Sequence, residues 1–236
     1  VTHLTGTVDA QYLGPKLRLS VRDLGVLADG TGDDGARLTA GLAEKFGTFA
    51  TTGPRTFPVE IDFGDLTLHL KSPIIINQSF IEFVGSPKFF CDVVPNAIVV
   101  SAGGEQAIVF GTKIKGTLMG HVEGDGVLYQ QGSQGEIDIR NVGYVGQAVV
   151  HVQGSYRNDI RVQTHGEGIT CYYAYRESVL QLPAGPFNCI NSNITVVAYD
   201  CYGVGVLMEE SQGFDLRGDI ERSVGPGVDL YNCQNG

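Results

Sequence analysis

The chain has 236 residues, 42% hydrophobic and 18% charged: enough apolar material for a sizeable core and too little charge for general disorder. Its formal net charge of −10 excludes nonspecific binding to nucleic acid or to an anionic membrane, both of which need a basic surface. It leaves room for an anionic polysaccharide held in a local basic cleft, and no sequence feature calls for a cofactor or a metal.

The five cysteines (Cys91, Cys171, Cys189, Cys201 and Cys233) contain no C-x-x-C pair and leave one unpaired under any bridging, so they read as buried free thiols. No apolar run approaches the ~18 residues of a membrane span. No signal peptide is visible and the chain opens on Val1, so a processed or excised piece of something longer is expected. The last residues, Asn232-Cys233-Gln234-Asn235-Gly236, carry no closing element, and the native protein is expected to continue.

In chain order, residues 1–20 lack periodicity, include Gly14-Pro15 and read as a neck or linker. Residues 21–38, Val-Arg-Asp-Leu-Gly-Val-Leu-Ala-Asp-Gly-Thr-Gly-Asp-Asp-Gly-Ala-Arg-Leu, read as a strand, a Gly/Asp-rich turn and the start of a helix. Asp33 or Asp34 offers the N-cap carboxylate of a helix over about 35–46. Leu38, Leu42 and Phe46 give that helix one apolar face, and Gly47 ends it. These aspartates are assigned to capping rather than to catalysis. Between residues 57 and 84, short apolar bursts (Phe57, Val59, Ile61, Phe63; Leu66, Leu68, Leu70; Ile74-Ile75-Ile76; Phe80, Ile81, Phe83, Val84) are bounded by Gly, Pro, Asn or Ser and predict strands.

Beyond residue 107 the chain repeats. One series starts at Gly126, Ala148, Gly168, Gly205 and Gly227; a second is Ile137-Asp138-Ile139, Ile160-Arg161-Val162, Ile194-Thr195-Val196 and Phe214-Asp215-Leu216. Spacings of 20–23 residues, with one enlarged interval in both series, predict a solenoid with an insertion of about 14 residues near 176–190.

The 21–38 segment resembles the opening of pectate-lyase-like β-helix proteins, roughly V-x-D-(F/L/Y)-G-A-x-x-D-G-x-x-D-D-T-x-A-(L/I), departing at Val26 and Gly35 and also at Arg37. The resemblance covers residues 21–85 closely and the remainder by period alone. It implies an all-β fold: a right-handed single-stranded parallel β-helix with an N-terminal capping α-helix. The expected division is a neck over 1–20 and a β-helix domain over 21–236, with the opening strand and helix in 21–56 and the coils in 57–236.

Aligning the first series puts Val127, Val149, Ile169, Val206 and Val228 inside, with Tyr129, His151, Cys171, Met208 and Leu230. His151 is then an interior histidine. Leu128, Val150 and Leu207 fall on an outward apolar stripe, the expected contact of a parallel homotrimer, unless the insertion folds over it. The same alignment pairs Glu123 with His165 and Asp125 with Glu167, two coils and so about 10 Å apart, near the acid–base spacing of an inverting glycosidase. These four are the candidate catalytic residues, with Tyr172, Glu209 and Arg161 as candidate substrate contacts. A further acidic group, Glu209, Glu210, Asp215, Asp219 and Glu221, is ambiguous, and the motifs of polygalacturonases and of calcium-dependent pectate lyases are absent.

What the resemblance implies is a bacteriophage tailspike or receptor-binding protein, or its N-terminal part. It would sit on the virion, assemble in the bacterial cytoplasm, contact other virion proteins through residues 1–20, and bind and depolymerise a bacterial surface polysaccharide. The competing readings are a non-enzymatic structural or adsorption module of a virion and a secreted polysaccharide lyase or hydrolase.

Overall fold

The computed structural model describes residues 16–47, 58–103, 107–165, 170–183 and 185–234. The helix is where the capping and periodicity arguments put it, Asp34–Phe46, with Asp33 as N-cap and Gly47, at φ 68°, closing the last turn through its N–H to Ala43 O. Leu38 and Leu42 are fully buried, against the strands Thr67–Leu70 and Ile74–Ile76. At about 1.5–3 kcal/mol for each buried leucine, this face rather than intrinsic propensity holds the helix in place.

Asp33 and Asp34 do more than cap. Asp33 Oδ1 accepts from the backbone N–H of Gly35 and Ala36 on the helix, and from Lys71 and Ser72 at the strand end it covers. Fully buried Asp34 accepts from Ala28 N–H and His69 N–H and takes an Arg37 contact at 3.4 Å. Gly35 is equally specific to this junction: a Cβ there would overlap Ser72 O.

The strand expected at the start of the 21–38 segment is corrected. Strand structure comes earlier, at Leu17–Ser20, and pairs in parallel with Val59–Asp62, so the ordered sheet begins inside the segment read as a neck. Val21–Leu24 is a single 3₁₀ turn. Ser20 Oγ accepts from Arg22 N–H, Asp23 accepts from Ser20 N–H, and Gly25 at φ 82° ends it. Val21 and Leu24, three apart, bury together as a 3₁₀ turn requires. Residues 1–15, to which virion contacts were assigned, lie outside the described residues.

The chain is predominantly β, and most strands join one large parallel sheet arranged as three rows of stacked rungs. The first row runs through Leu17–Ser20, Val59–Asp62, Ile81–Val84, the first part of Lys113–Val122, Glu136–Asn141, Asp159–Thr164, Asn193–Tyr199 and Asp215–Glu221. The second links Thr67–Leu70, Lys88–Val94 and the latter part of Lys113–Val122, then Val145 and Cys171. The third climbs through Ile74–Ile76, Ile98–Val100, Val127–Gln130, residues 150–153 and 175–178, Val206–Glu209 and Val228–Tyr231. Inward residues of all three rows form a continuous core, with Phe63, Phe83 and Phe89 clustered at its lower end and Phe63–Phe83 centroids 4.7 Å apart. The antiparallel pair Leu180–Leu182 and Gly185–Phe187 is the insertion, within the interval expected for it.

The register differs from the sequence alignment. In the third row the inward columns are Val127, Val150, Tyr175, Val206, Val228 and Tyr129, Val152, Glu177, Met208, Leu230. A bulge between Val145 and Ala148 shifts the parity of the second rung, and Ala148 through Val152 are all buried, so no alternation marks the side. Val150 therefore points inward with no exposed surface, and His151 occupies the outward column. The proposed apolar stripe is broken: Leu128 and Leu207 stay on the outward column but are separated by His151 and Arg176. In the first row the last rung shifts by two residues, placing Arg217 rather than Asp215 in the column of Asp138, Arg161 and Thr195.

Candidate functional site

The outward side of the third row, with the adjoining edge of the second, gathers the chemically distinctive residues. Cys171 and Cys201, both free thiols, pair through their backbones as inward residues of the second row, so Tyr172 and Tyr202, one position later, turn outward. Tyr202 is 54% and Tyr172 38% exposed, with centroids 5.8 Å apart; Tyr173 meets Tyr172 edge-on at 4.6 Å. The Arg176 guanidinium lies 5.7 Å from the Tyr173 ring centroid and donates to Glu209 Oε2 at 3.0 Å. The result is a patch of exposed ring surface bordered by a paired cation and carboxylate, all on neighbouring rungs. Ring faces of this kind pack against the C–H face of a sugar, while the carboxylate and guanidinium suit its hydroxyls.

One rung below Arg176, in register with it, stands His151. Its Nδ1 is 2.9 Å from Asp125 Oδ2 and its Nε2 2.8 Å from Ser178 Oγ. Asp125 precedes the Val127 strand; its N–H is held by Asn96 Oδ1, and its Oδ1 accepts from Ala148 N–H. Ser178 Oγ also accepts from Gln153 Nε2 at 3.1 Å, and Gln153 Oε1 accepts from Gln130 Nε2 at 2.6 Å. Five side chains on consecutive rungs thus form one connected hydrogen-bond path.

The sequence-derived candidates divide accordingly. Tyr172 and Glu209 belong to the aromatic patch, and Asp125 to the histidine path. Glu123 is exposed, and its column is not that of His165: Val122, Val145 and Cys171 stack, so Glu123 shares its position with Gly146 and Tyr172. His165 follows the end of the first-row strand Asp159–Thr164, its N–H donating to Asn141 O and its ring 6.1 Å from Tyr199. The expected pairing of Glu123 with His165 is therefore not formed. Glu167 lies outside the described residues. Arg161 is on the first row, beside Asp159 at 3.5 Å, in an open groove with Asn193, Thr195, Asp215 and Arg217. That groove is a different face from the one carrying Tyr172 and Glu209.

Sequence reasoning missed Ser178, Tyr173, Arg176, Tyr202 and the outward setting of His151. The available signal was a histidine in an otherwise apolar strand, one repeat away from an Asp-Gly turn and a Glu-Ser pair. Using it required the true repeat lengths, 23 residues from Val127 to Val150 and 25 from Val150 to Tyr175. Among the described residues no group of three His, Cys, Asp or Glu side chains is arranged to hold a metal ion, and no helix is long and apolar enough to cross a membrane.

No family model matches the chain, and a search of curated proteins finds no match. Among solved structures it is similar to ORF18 of Geobacillus virus E2, with a TM-score of 0.56 and 15% sequence identity. The similarity covers 92% of this chain and 53% of that one, so the chain spans about half the length of the protein it resembles. At that identity the likeness concerns the fold.

Proposed function

We propose that this chain is the β-helical body of a phage spike, of the pectate-lyase-like type, and that it recognises a bacterial surface polysaccharide. Three rows of parallel rungs, a helix over one end and the fold likeness to a phage protein support the β-helix and the virion setting. The observation that carries the recognition reading is the exposed Tyr172–Tyr173–Tyr202 patch with its Arg176–Glu209 border.

Recognition is better supported than cleavage of the glycan backbone. An inverting acid–base pair needs two free carboxyls across one bond. Asp125 is engaged by His151 and by Ala148 N–H, and its expected partner Glu167 lies outside the described residues. The adsorption reading rests on the aromatic patch, which needs no such pair. A homotrimer remains compatible with the outward Leu128 and Leu207, but on a narrower basis than a continuous stripe.

The test is binding of the whole chain to an immobilised panel of purified bacterial surface polysaccharides, with reducing-sugar release measured alongside. Each lost ring contact is worth about 1 kcal/mol, so Tyr172→Ala with Tyr202→Ala lowers affinity for the bound glycan about 10- to 30-fold. Unchanged binding in the double variant, or binding to no glycan in a broad panel, refutes the assignment. Release of reducing ends would restore the depolymerase reading.

A further inference from the structure

We propose that Asp125, His151 and Ser178 form a hydrolytic relay acting on short acyl esters, and that its substrate class is a small O-acyl group on a sugar hydroxyl. The sugar part rests on the glycan-recognition reading above; the hydrolytic part stands on the geometry of the three residues.

The direction of each hydrogen bond is fixed from both ends. Gln153 uses its carbonyl oxygen to accept from Gln130 Nε2, so it faces Ser178 with its NH₂ and donates to Oγ. Ser178 Oγ keeps a second lone pair, so the ring is oriented by Asp125: a carboxylate only accepts, which places the ring proton on Nδ1 and leaves Nε2 of the neutral ring bare to accept from the Ser178 hydroxyl. Nδ1–H thus donates to Asp125 Oδ2, while Ala148 N–H fixes the other carboxylate oxygen. This is the order of a nucleophile, a general base and an orienting carboxylate. The three come from three successive rungs, so the rigid sheet rather than a loop sets their spacing.

Two further observations point to chemistry rather than bracing alone. The His151 and Asp125 side chains are 8% and 13% exposed and Ser178 is 6% exposed, largely shielded yet open at the surface, a setting that suits a small acyl group such as acetyl. Arg176, in register with His151, keeps a buried Nε with no hydrogen-bond acceptor. Arg176 lies two residues before Ser178 on the same strand, and on turning outward this unpaired donor would serve the oxyanion that forms when a carbonyl is attacked.

In the reaction, Ser178 Oγ attacks the ester carbonyl carbon and its proton passes to His151 Nε2. The tetrahedral oxyanion collapses with loss of the sugar alkoxide, which takes that proton and leaves as the free hydroxyl. Water then attacks the acyl-serine, giving one proton to His151. The C–Oγ bond breaks, Ser178 recovers the proton, and the products are a short carboxylic acid and the deacylated sugar.

The experiment exposes the intact chain to a fluorophosphonate probe, reads the adduct by peptide mass mapping, and follows 4-nitrophenyl acetate hydrolysis. The expected result is a single adduct on Ser178, with hydrolysis falling at least ~100-fold in Ser178→Ala and in His151→Asn. Thermal unfolding of each variant checks the fold; if His151→Asn does not fold, wild-type labelling and Ser178→Ala decide. No adduct on Ser178, or wild-type hydrolysis no faster than that of Ser178→Ala, overturns the relay and leaves the five side chains as a structural ladder. Neither probe carries a sugar, so failure of glycan binding and failure of the relay are read separately. If the relay works, acetate release from O-acetylated but not from de-O-acetylated polysaccharide confirms the substrate class, and its absence rejects it.

Discussion

Replacing Asp33 with alanine tests whether one carboxylate fastens the helix to the strands it covers. Its Oδ1 serves four N–H groups, those of Gly35 and Ala36 within the helix and of Lys71 and Ser72 outside it, at 3.1–3.3 Å. Loss of an N-cap of this type costs about 0.5–2 kcal/mol. Orphaning the other two donors adds about 1 kcal/mol each at most, because Lys71 is exposed and Ser72 half-buried, so water replaces much of what is lost. The expected destabilisation is about 0.5–4 kcal/mol, read as a shift in the urea midpoint at constant slope. Asp33→Asn, which keeps the acceptor oxygen, should retain at least half of it. Partial burial pushes the Asp33 pKa up, but the hydrogen bonds from Ser72, Lys71 and Ala36 outweigh it and hold it below the ordinary 3.8. A depressed folded-state value means that this stabilisation is present above pH 3.8 and is lost as pH falls through the folded value, so wild type and Asp33→Ala should converge in acid. A midpoint shift worth less than about 0.5 kcal/mol near neutral pH would refute the clamp.

Gly35→Thr introduces the residue found in the pattern that this segment resembles, and the overlap of any Cβ with Ser72 O predicts destabilisation of about 1–3 kcal/mol, seen as a lower Tm; an unchanged or higher Tm would mean the junction relaxes freely. Glu177→Gln tests the interior: burial holds this carboxyl above its ordinary 4.5, with Tyr175 Oη donating to its Oε1 at 2.6 Å. A raised folded-state value stabilises below pH 4.5 and is lost as pH rises, so the glutamine variant should show a higher Tm than wild type at pH 8 and little difference at pH 4; equal behaviour at both would place the charge elsewhere.

How far the sequence carries can be followed residue by residue. The helix was legible because its signals are local: an Asp before the first turn, Leu38 and Leu42 four apart, Gly47 after the last. The strands of residues 59–84 were legible for the same reason. Register was not, because it is a sum of turn lengths and bulges, and one bulge at Val145–Ala148 moved His151 from the inside to the outside. The third rung was misaligned because Gly168-Ile169-Thr170-Cys171 imitates the other rungs, whereas Tyr175–Ser178 occupies the third row. Tyr175 and Glu177 are atypical core residues, so hydrophobicity alone passes over them. The candidate site depends on this register. Asp125 was singled out from the sequence, but not with His151 and Ser178 as its neighbours, and Ser178 was invisible without that register.

The double-aspartate junction also bears on how the molecule acquires its order. Its hydrogen bonds join residues at most 39 apart, and every later rung of the third row rests only on the one before, 22 to 31 residues back. An array built by nearest-neighbour pairing needs a first rung whose position is set by something other than another rung. Asp33 and Asp34 supply that reference by binding backbone N–H groups, which every residue but proline presents, so the origin is insensitive to the side chains that follow. Assembly that starts there pays one loop closure per added rung, and the changing turn lengths above it can diverge without shifting the starting point.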